Sequence, residues 1–177
     1  RISAREQDVE LHQCDFLTVL QNCLQALEEE YTVAVVAAAT SISLPLIWDK
    51  QAATLHIQDQ VVILLRKGLR RLDAQAKTFH NHITLPVPHK DHRDETAMTV
   101  KRAYVCVDIP WQKQTIRIAN THLESISAEY QLGQACELAE VLAAWEGPLL
   151  LCGDMNASPG GLVYQRFADD RPGDCFE

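Results

Sequence analysis

The sequence predicts a mixed α/β domain, and three consecutive stretches in its second half carry that reading. Residues 101–108 alternate as a strand requires, with Ala103, Val105 and Val107 on one face and Tyr104, Cys106 and Asp108 on the other. A turn across residues 110–113 returns the chain into residues 115–121, where Ile116 and Ile118 alternate with Arg117 and Ala119, so the two strands pair as a hairpin. Residues 128–145 follow helical spacing. Leu132, Ala135, Leu138, Ala139, Leu142 and Trp145 form one stripe, Gly147 stands just past its end and Pro148 stops it. Leu149-Leu150-Leu151-Cys152 then read as a short, fully buried strand that ends at Gly153. Two antiparallel strands, a helix and a further strand define mixed architecture.

The remaining elements are read in order. Residues 1–13 are polar and offer no element. From Asp15 to Tyr31 the apolar positions Phe16, Val19, Leu20, Cys23, Leu24 and Leu27 keep helical spacing, and Asp15 suits the cap. A second parsing makes residues 16–20 a strand and starts the helix near Asn22. Residues 32–39 and 61–65 are apolar runs of central-strand type, with a short strand at 53–57 between them. Residues 77–84 form a further strand with His80 and His82 on one face, and a short helix covers 162–168 after Gly160-Gly161. His89, Asp91, His92, Asp94 and Glu95 crowd the loop 86–96, but their spacing matches no ligand set, and a solvated charge-alternating loop explains them.

One domain of 177 residues is long enough to bury a substantial core. Forty-seven per cent apolar and 23 % charged residues place it among folded soluble proteins rather than disordered chains. No run approaches the ~18 apolar residues of a membrane span, and the N-terminus has no signal-peptide layout. The net charge of −8 excludes bulk attraction of polyanions. The one basic strip is residues 66–71, which a solvated inter-strand loop also explains. Six cysteines without paired spacing behave as small apolar residues, which implies a reducing, cytoplasmic setting. The chain begins at Arg1 rather than Met and reads as a fragment or trimmed product.

Two strand ends carry residues of catalytic type: Asn120 and His122 on one, Asp154 and Asn156 on the other. A strand-helix-strand crossover brings such ends to the same sheet edge, where ligands of α/β sheets bind. Carboxylate and amide oxygens suit a hard cation such as Mg²⁺. Gly, Asp and Asn are also ordinary turn residues, and a strand-end His is often structural.

Taken together, Asn120-Thr121-His122-Leu123-Glu124-Ser125, a helix opening on Tyr130-Gln131-Leu132, and Gly153-Asp154-Met155-Asn156 resemble the endonuclease/exonuclease/phosphatase superfamily. These are DNase I-like, metal-dependent phosphoesterases related also to abasic-site endonucleases and sphingomyelinases. The His-Leu-Glu-Ser and Gln-Leu details are similar to the tyrosyl-DNA phosphodiesterase branch. The resemblance implies a four-layer αββα sandwich of two mixed sheets. It implies that Asp154 orients or deprotonates the attacking water, Asn156 holds phosphoryl oxygens or the nucleophile, and His122 contacts the phosphate.

It further implies one or two Mg²⁺ or Mn²⁺ ions, with Asp154 and Asn22 as ligands. Asn22 stands where the family has Glu, in an aspartate-led frame from Asp15, so binding should be weak. The implied substrate is a phosphate ester: nucleic acid, phospholipid head group or small phosphodiester. The family's first strand has no match in residues 1–13, and its closing Ser-Asp-His is absent from the sequence. The uncovered sheet edge this leaves invites self-association. An impaired pseudoenzyme or binding module that keeps the fold is the other reading.

Overall fold

A computed structural model of the chain describes residues 2–5, 12–87 and 96–168. Its elements are β1 (Ile2–Arg5), β2 (His12–Cys14), α1 (Phe16–Ala26), β3 (Tyr31–Trp48), β4 (Gln51–Arg66), β5 (Asp73–Thr78), β6 (Ile83–Val87), β7 (Thr96–Val100), β8 (Ala103–Trp111), β9 (Gln114–His122), α2 (Ala128–Ala143), β10 (Leu149–Asp154) and α3 (Leu162–Ala168). One sheet runs β2-β1-β4-β3 and the second β10-β9-β8-β5, while β6 and β7 pair as a separate ribbon. The first sheet is antiparallel throughout; in the second, β10 runs parallel to β9.

The alternation in β8 explains the layering. Ala103, Val105 and Val107 face the first sheet and pack with Ala34, Ala37, Val61, Ile63 and Leu65. Tyr104 and Cys106 face the other way, onto Leu123 and the helix residues Ala135, Leu138, Leu142 and Val163. A strand buried on both faces must read as a run of apolar residues, and β8 does. β4 joins the expected strands 53–57 and 61–65 into one and pairs along its length with β3. Pro45 is tolerated within β3 because that strand is the sheet edge.

Several expectations are corrected. Residues 1–13 do hold elements, since β1 pairs with both β2 and β4 through backbone groups that side-chain patterning does not reveal. Residues 77–84 are not one strand. β5 ends at Thr78, Phe79 turns into the core at 2 % exposure with its N–H donating to Arg102 O at 3.0 Å, and His80 and His82 lie exposed in the bend. α1 is one helix, its first turn capped by Asp15, which accepts from Leu17 N at 3.2 Å. The parsing that put Asn22 near a strand end is therefore not realised. α2 stops at Ala143. Trp145 lies beyond it, its ring 4.3 Å beneath the Arg117 guanidinium and its Nε1 donating to Pro148 O at 3.0 Å.

β10 is not a fully buried strand. It is the sheet edge, so Leu149 and Leu151 pack toward the helices while Leu150 is 52 % exposed; Gly153 and Asp154 continue the strand rather than end it. The basic strip is engaged within the chain: Arg66 pairs with Glu29 and Lys67 with Glu30. Among the described residues, no helix is long and apolar enough to cross a membrane.

The cysteines also depart from expectation. Cys106 alone of the five described is buried; Cys14, Cys23 and Cys152 are exposed, and Cys175 lies outside the described residues. Burial pushes the Cys106 thiol up to about 11, with Asp108 adding to the effect and Arg117 opposing it. Alkylation near pH 8 is therefore expected to modify Cys14, Cys23 and Cys152 and to spare Cys106 until the chain unfolds. Peptide mass mapping with and without urea checks this, and early modification of Cys106 would contradict its burial.

Candidate functional site

The parallel ladder between β9 and β10 places Asp154 directly beside His122. Two residues fix that register. Gly153 has φ +133°, and a Cβ there would stand 2.0 Å from Thr121 O, so the strands approach as closely as they do only because the side chain is a hydrogen. Past the strand ends, Leu123 N donates to Asp154 O at 2.9 Å. His122 Nε2 and Asp154 Oδ2 are then 3.9 Å apart. The expectation that both ends share one edge is met in the most direct way, as neighbouring strands.

The turn after β10 is held from three directions. Asp154 Oδ1 accepts from Asn156 N at 2.9 Å, which closes an Asx turn, and Asn156 adopts φ +50°, which Asn tolerates better than most residues. Asn156 Nδ2 donates to Leu123 O at 2.9 Å, and Gln131 Nε2 donates to Met155 O at 3.0 Å and also to Asn156 O. Gln131 of the Tyr-Gln-Leu stretch thus ties the first turns of α2 to the loop. Asp154 keeps its carboxylate in solvent, with the side chain 65 % exposed.

Two further charged groups, Arg102 and Asp59, lie against His122, and patterning identified neither as a site residue. Arg102 precedes β8 and its side chain is only 11 % exposed. Its NH1 lies 3.3 Å from Asp59 Oδ2 and 3.2 and 3.3 Å from the two ring nitrogens of His122; NH2 lies 3.4 Å from Ser125 Oγ and 3.6 Å from Glu124 Oε1. Asp59 Oδ2 is also 3.5 Å from His122 Nδ1. A β-bulge arranges this meeting. The β3–β4 register shifts between Ala38 and Ser41, leaving two residues of β3 across from Asp59. One of them, Thr40, accepts from Lys101 N at 3.0 Å and donates to Lys101 O at 2.7 Å, which pins the residue before Arg102.

Glu124 is fully buried. Its Oε1 accepts from Ser125 N at 2.8 Å and Ile126 N at 2.9 Å, and its own N–H donates to Gln134 Oε1 at 2.9 Å. Gln134 explains itself by these bonds: a polar residue within the helix's apolar stripe, it also donates to Asn81 O at 2.8 Å. Asn120 is structural, its Nδ2 donating across the sandwich to Val62 O at 2.9 Å. Asn22 is exposed on α1, and no described contact links it to His122 or Asp154. His80 pairs with Glu137 at 2.9 Å on the surface, and His89 and His92 lie outside the described residues.

Two carboxylates, Asp59 and Asp154, and one guanidinium lie within 4 Å of a single imidazole, so opposite charges partly balance at this edge. Among the described residues, no three His, Cys, Asp or Glu side chains converge to hold a metal by themselves. The donor set fits Mg²⁺ only in its common mode, with one or two carboxylates and the rest of the shell supplied by water and phosphate.

No family model and no curated protein matches the sequence. Solved structures do. The chain is similar to the human Nocturnin catalytic domain with bound sulfate, at TM-score 0.50 and 16 % identity over 88 % of this chain and 53 % of that one. It is also similar to an endonuclease/exonuclease/phosphatase family protein from Bacteroides thetaiotaomicron, at TM-score 0.49 and 15 % identity over 86 % and 51 %. The fold is a DNase I-like α+β sandwich. The chain spans about half the length of the solved chains it matches.

Proposed function

We propose that the chain carries the water-positioning edge of a metal-assisted phosphoesterase. The observation that supports this best is the His122–Asp154 pair: two strand-end groups 3.9 Å apart, with the carboxylate exposed. That separation is too wide for a direct hydrogen bond and suits a water that bonds to both. Asp154 and His122 orient this water and draw its proton. The water oxygen forms a bond to phosphorus as the ester oxygen leaves in line, the usual demand of phosphoryl transfer. The Asn156 amide, set by its bond to Leu123 O, meets the phosphoryl oxygens. Asp154 would hold a Mg²⁺ or Mn²⁺ ion, which supplies charge stabilisation of the phosphoryl oxygens. Asn22 takes no part in this arrangement.

The intrachain pairing of Arg66 and Lys67 favours a small phosphodiester or head group over a long polyanion. Hydrolysis of bis(p-nitrophenyl) phosphate with and without Mg²⁺ tests the proposal. Metal-dependent turnover supports it, and its absence with both Mg²⁺ and Mn²⁺ counts against it. The second reading, a binding module without turnover, is favoured by the exposed place of Asn22 on α1, which leaves Asp154 as the one expected charged ligand at the edge. Calorimetry separates the two, since Mg²⁺ binding lost in Asp154→Ala argues against a relic.

The setting we infer is reducing, because the described cysteines are free and three are exposed. Among the described residues no strand covers the outer edge of β10, and this edge is proposed to pair with a second copy, since Leu149 to Gly153 offer neither charge nor proline to prevent it. Sedimentation on dilution is expected to show a dimer that Leu150→Lys abolishes. A monomer at every concentration would exclude the pairing.

A further inference from the structure

We propose that Arg102 is the positioning residue of this edge, holding the Asp59–His122 pair in register with Asp154 across the two sheets. The inference rests on the phosphoesterase reading for its chemistry, but its geometry stands independently. NH1 is almost equidistant from the two nitrogens of His122, at 3.2 and 3.3 Å. A donor on the lone-pair axis of one imidazole nitrogen lies far from the other, so NH1 braces the ring rather than bonding one nitrogen head-on. The same NH1 lies 3.3 Å from Asp59 Oδ2, and that oxygen lies 3.5 Å from His122 Nδ1. Guanidinium, carboxylate and imidazole close a triangle whose corners come from β4, β9 and the residue before β8.

Arg102 is itself fixed from behind. Its carbonyl accepts from Phe79 N at 3.0 Å, Thr40 pins Lys101, and NH2 lies near Ser125 Oγ and Glu124 Oε1. A residue serving only to neutralise buried Glu124 would be expected to satisfy its polar atoms fully. Instead, Arg102 Nε and Glu124 Oε2 are both buried without a hydrogen-bond partner among the described residues. The guanidinium is stretched between two duties, and the better-placed nitrogen faces His122 and Asp59. By holding Asp59, Arg102 keeps a carboxylate 3.5 Å from Nδ1, which favours the tautomer with its proton on that nitrogen and leaves Nε2 for the water shared with Asp154.

The test is the neutral pair Arg102→Gln with Glu124→Gln, which removes both buried charges together and so avoids leaving Glu124 uncompensated. Nitrogen-detected NMR of the His122 ring in the protein without substrate is expected to show one tautomer in the native chain and an averaged pair in the double variant. Where the native chain turns over phosphodiester, kcat is expected to fall roughly 10- to 100-fold with KM within about twofold, the scale of a small misplacement of a reacting group. If the double variant keeps the native His122 spectrum, Arg102 is only the counterion of Glu124 and the proposal is overturned. Should that variant fail to fold, Arg102→Lys, which keeps the charge but not the planar fork, is read by the same spectrum with the same two outcomes. An absence of turnover in the native chain counts against the phosphoesterase reading alone, because the spectrum needs none.

Discussion

Asp154→Ala is expected to lower Mg²⁺-dependent phosphodiester turnover by roughly 10³-fold while the chain stays folded, since removing a general base or a charge-stabilising group typically costs 10²–10⁴ in rate. The fold should survive because the side chain is 65 % exposed and makes one described backbone bond, to Asn156 N. That bond is worth about 1 kcal/mol. Turnover of the variant relative to native chain, with circular dichroism as the control for folding, reads the effect. A variant that keeps most of its turnover would remove Asp154 from the chemistry and with it the role assigned to the strand pair. Asn156→Ala is a different case. Its side chain supports the loop through Leu123 O, so part of any loss there reports misplacement of Asp154.

Gly153→Ala is expected to be the most destabilising single change at this edge. The new Cβ would lie 2.0 Å from Thr121 O, and the backbone holds φ at +133°, where L side chains are strained. Backbone cannot yield as a flexible side chain does, so β10 must separate from β9. A cost of roughly 3–5 kcal/mol is expected, by comparison with strained and overpacked sites. For a chain of this size that corresponds to a fall of about 10 °C in Tm. A thermal melt checks it. An unchanged Tm would mean that the two strands do not approach as described. Because the same strand delivers Asp154, turnover should be lost together with stability, which distinguishes this variant from Asp154→Ala.

The parts of the fold that were legible in the sequence are those in which one face dictates the residue. β8 and β9 alternate, α2 carries its stripe, and the crossover joining them to β10 set two polar strand ends on one edge. The less legible parts depend on pairing that no local pattern records. β1 and β2 are defined by backbone partners, and β10 reads as buried until its place at the sheet edge is known. The polar neighbours of His122 were hidden for the same reason. Asp59 lies within a strand across from a bulge, and Arg102 is a charge beside an apolar run, a position that is usually solvated. Only the packing of one sheet on the other brings them together. Asn22 shows the converse: a motif frame suggested a strand, while helical spacing and the Asp15 cap decided in favour of a helix.

The carbonyl of Pro148 accepts from Arg117 N at 3.0 Å and from Trp145 Nε1 at 3.0 Å, and Arg117 is further locked by two 2.8 Å bonds to Asp108. The parallel ladder is thus riveted at the end remote from Asp154. The far end is tied as well, since Leu123 N donates to Asp154 O at 2.9 Å and Gln131 and Asn156 hold the loop that follows. Amide hydrogen exchange along β10 should therefore show no gradient toward Asp154, and the carboxylate should stay in place until the ladder with β9 opens as a unit.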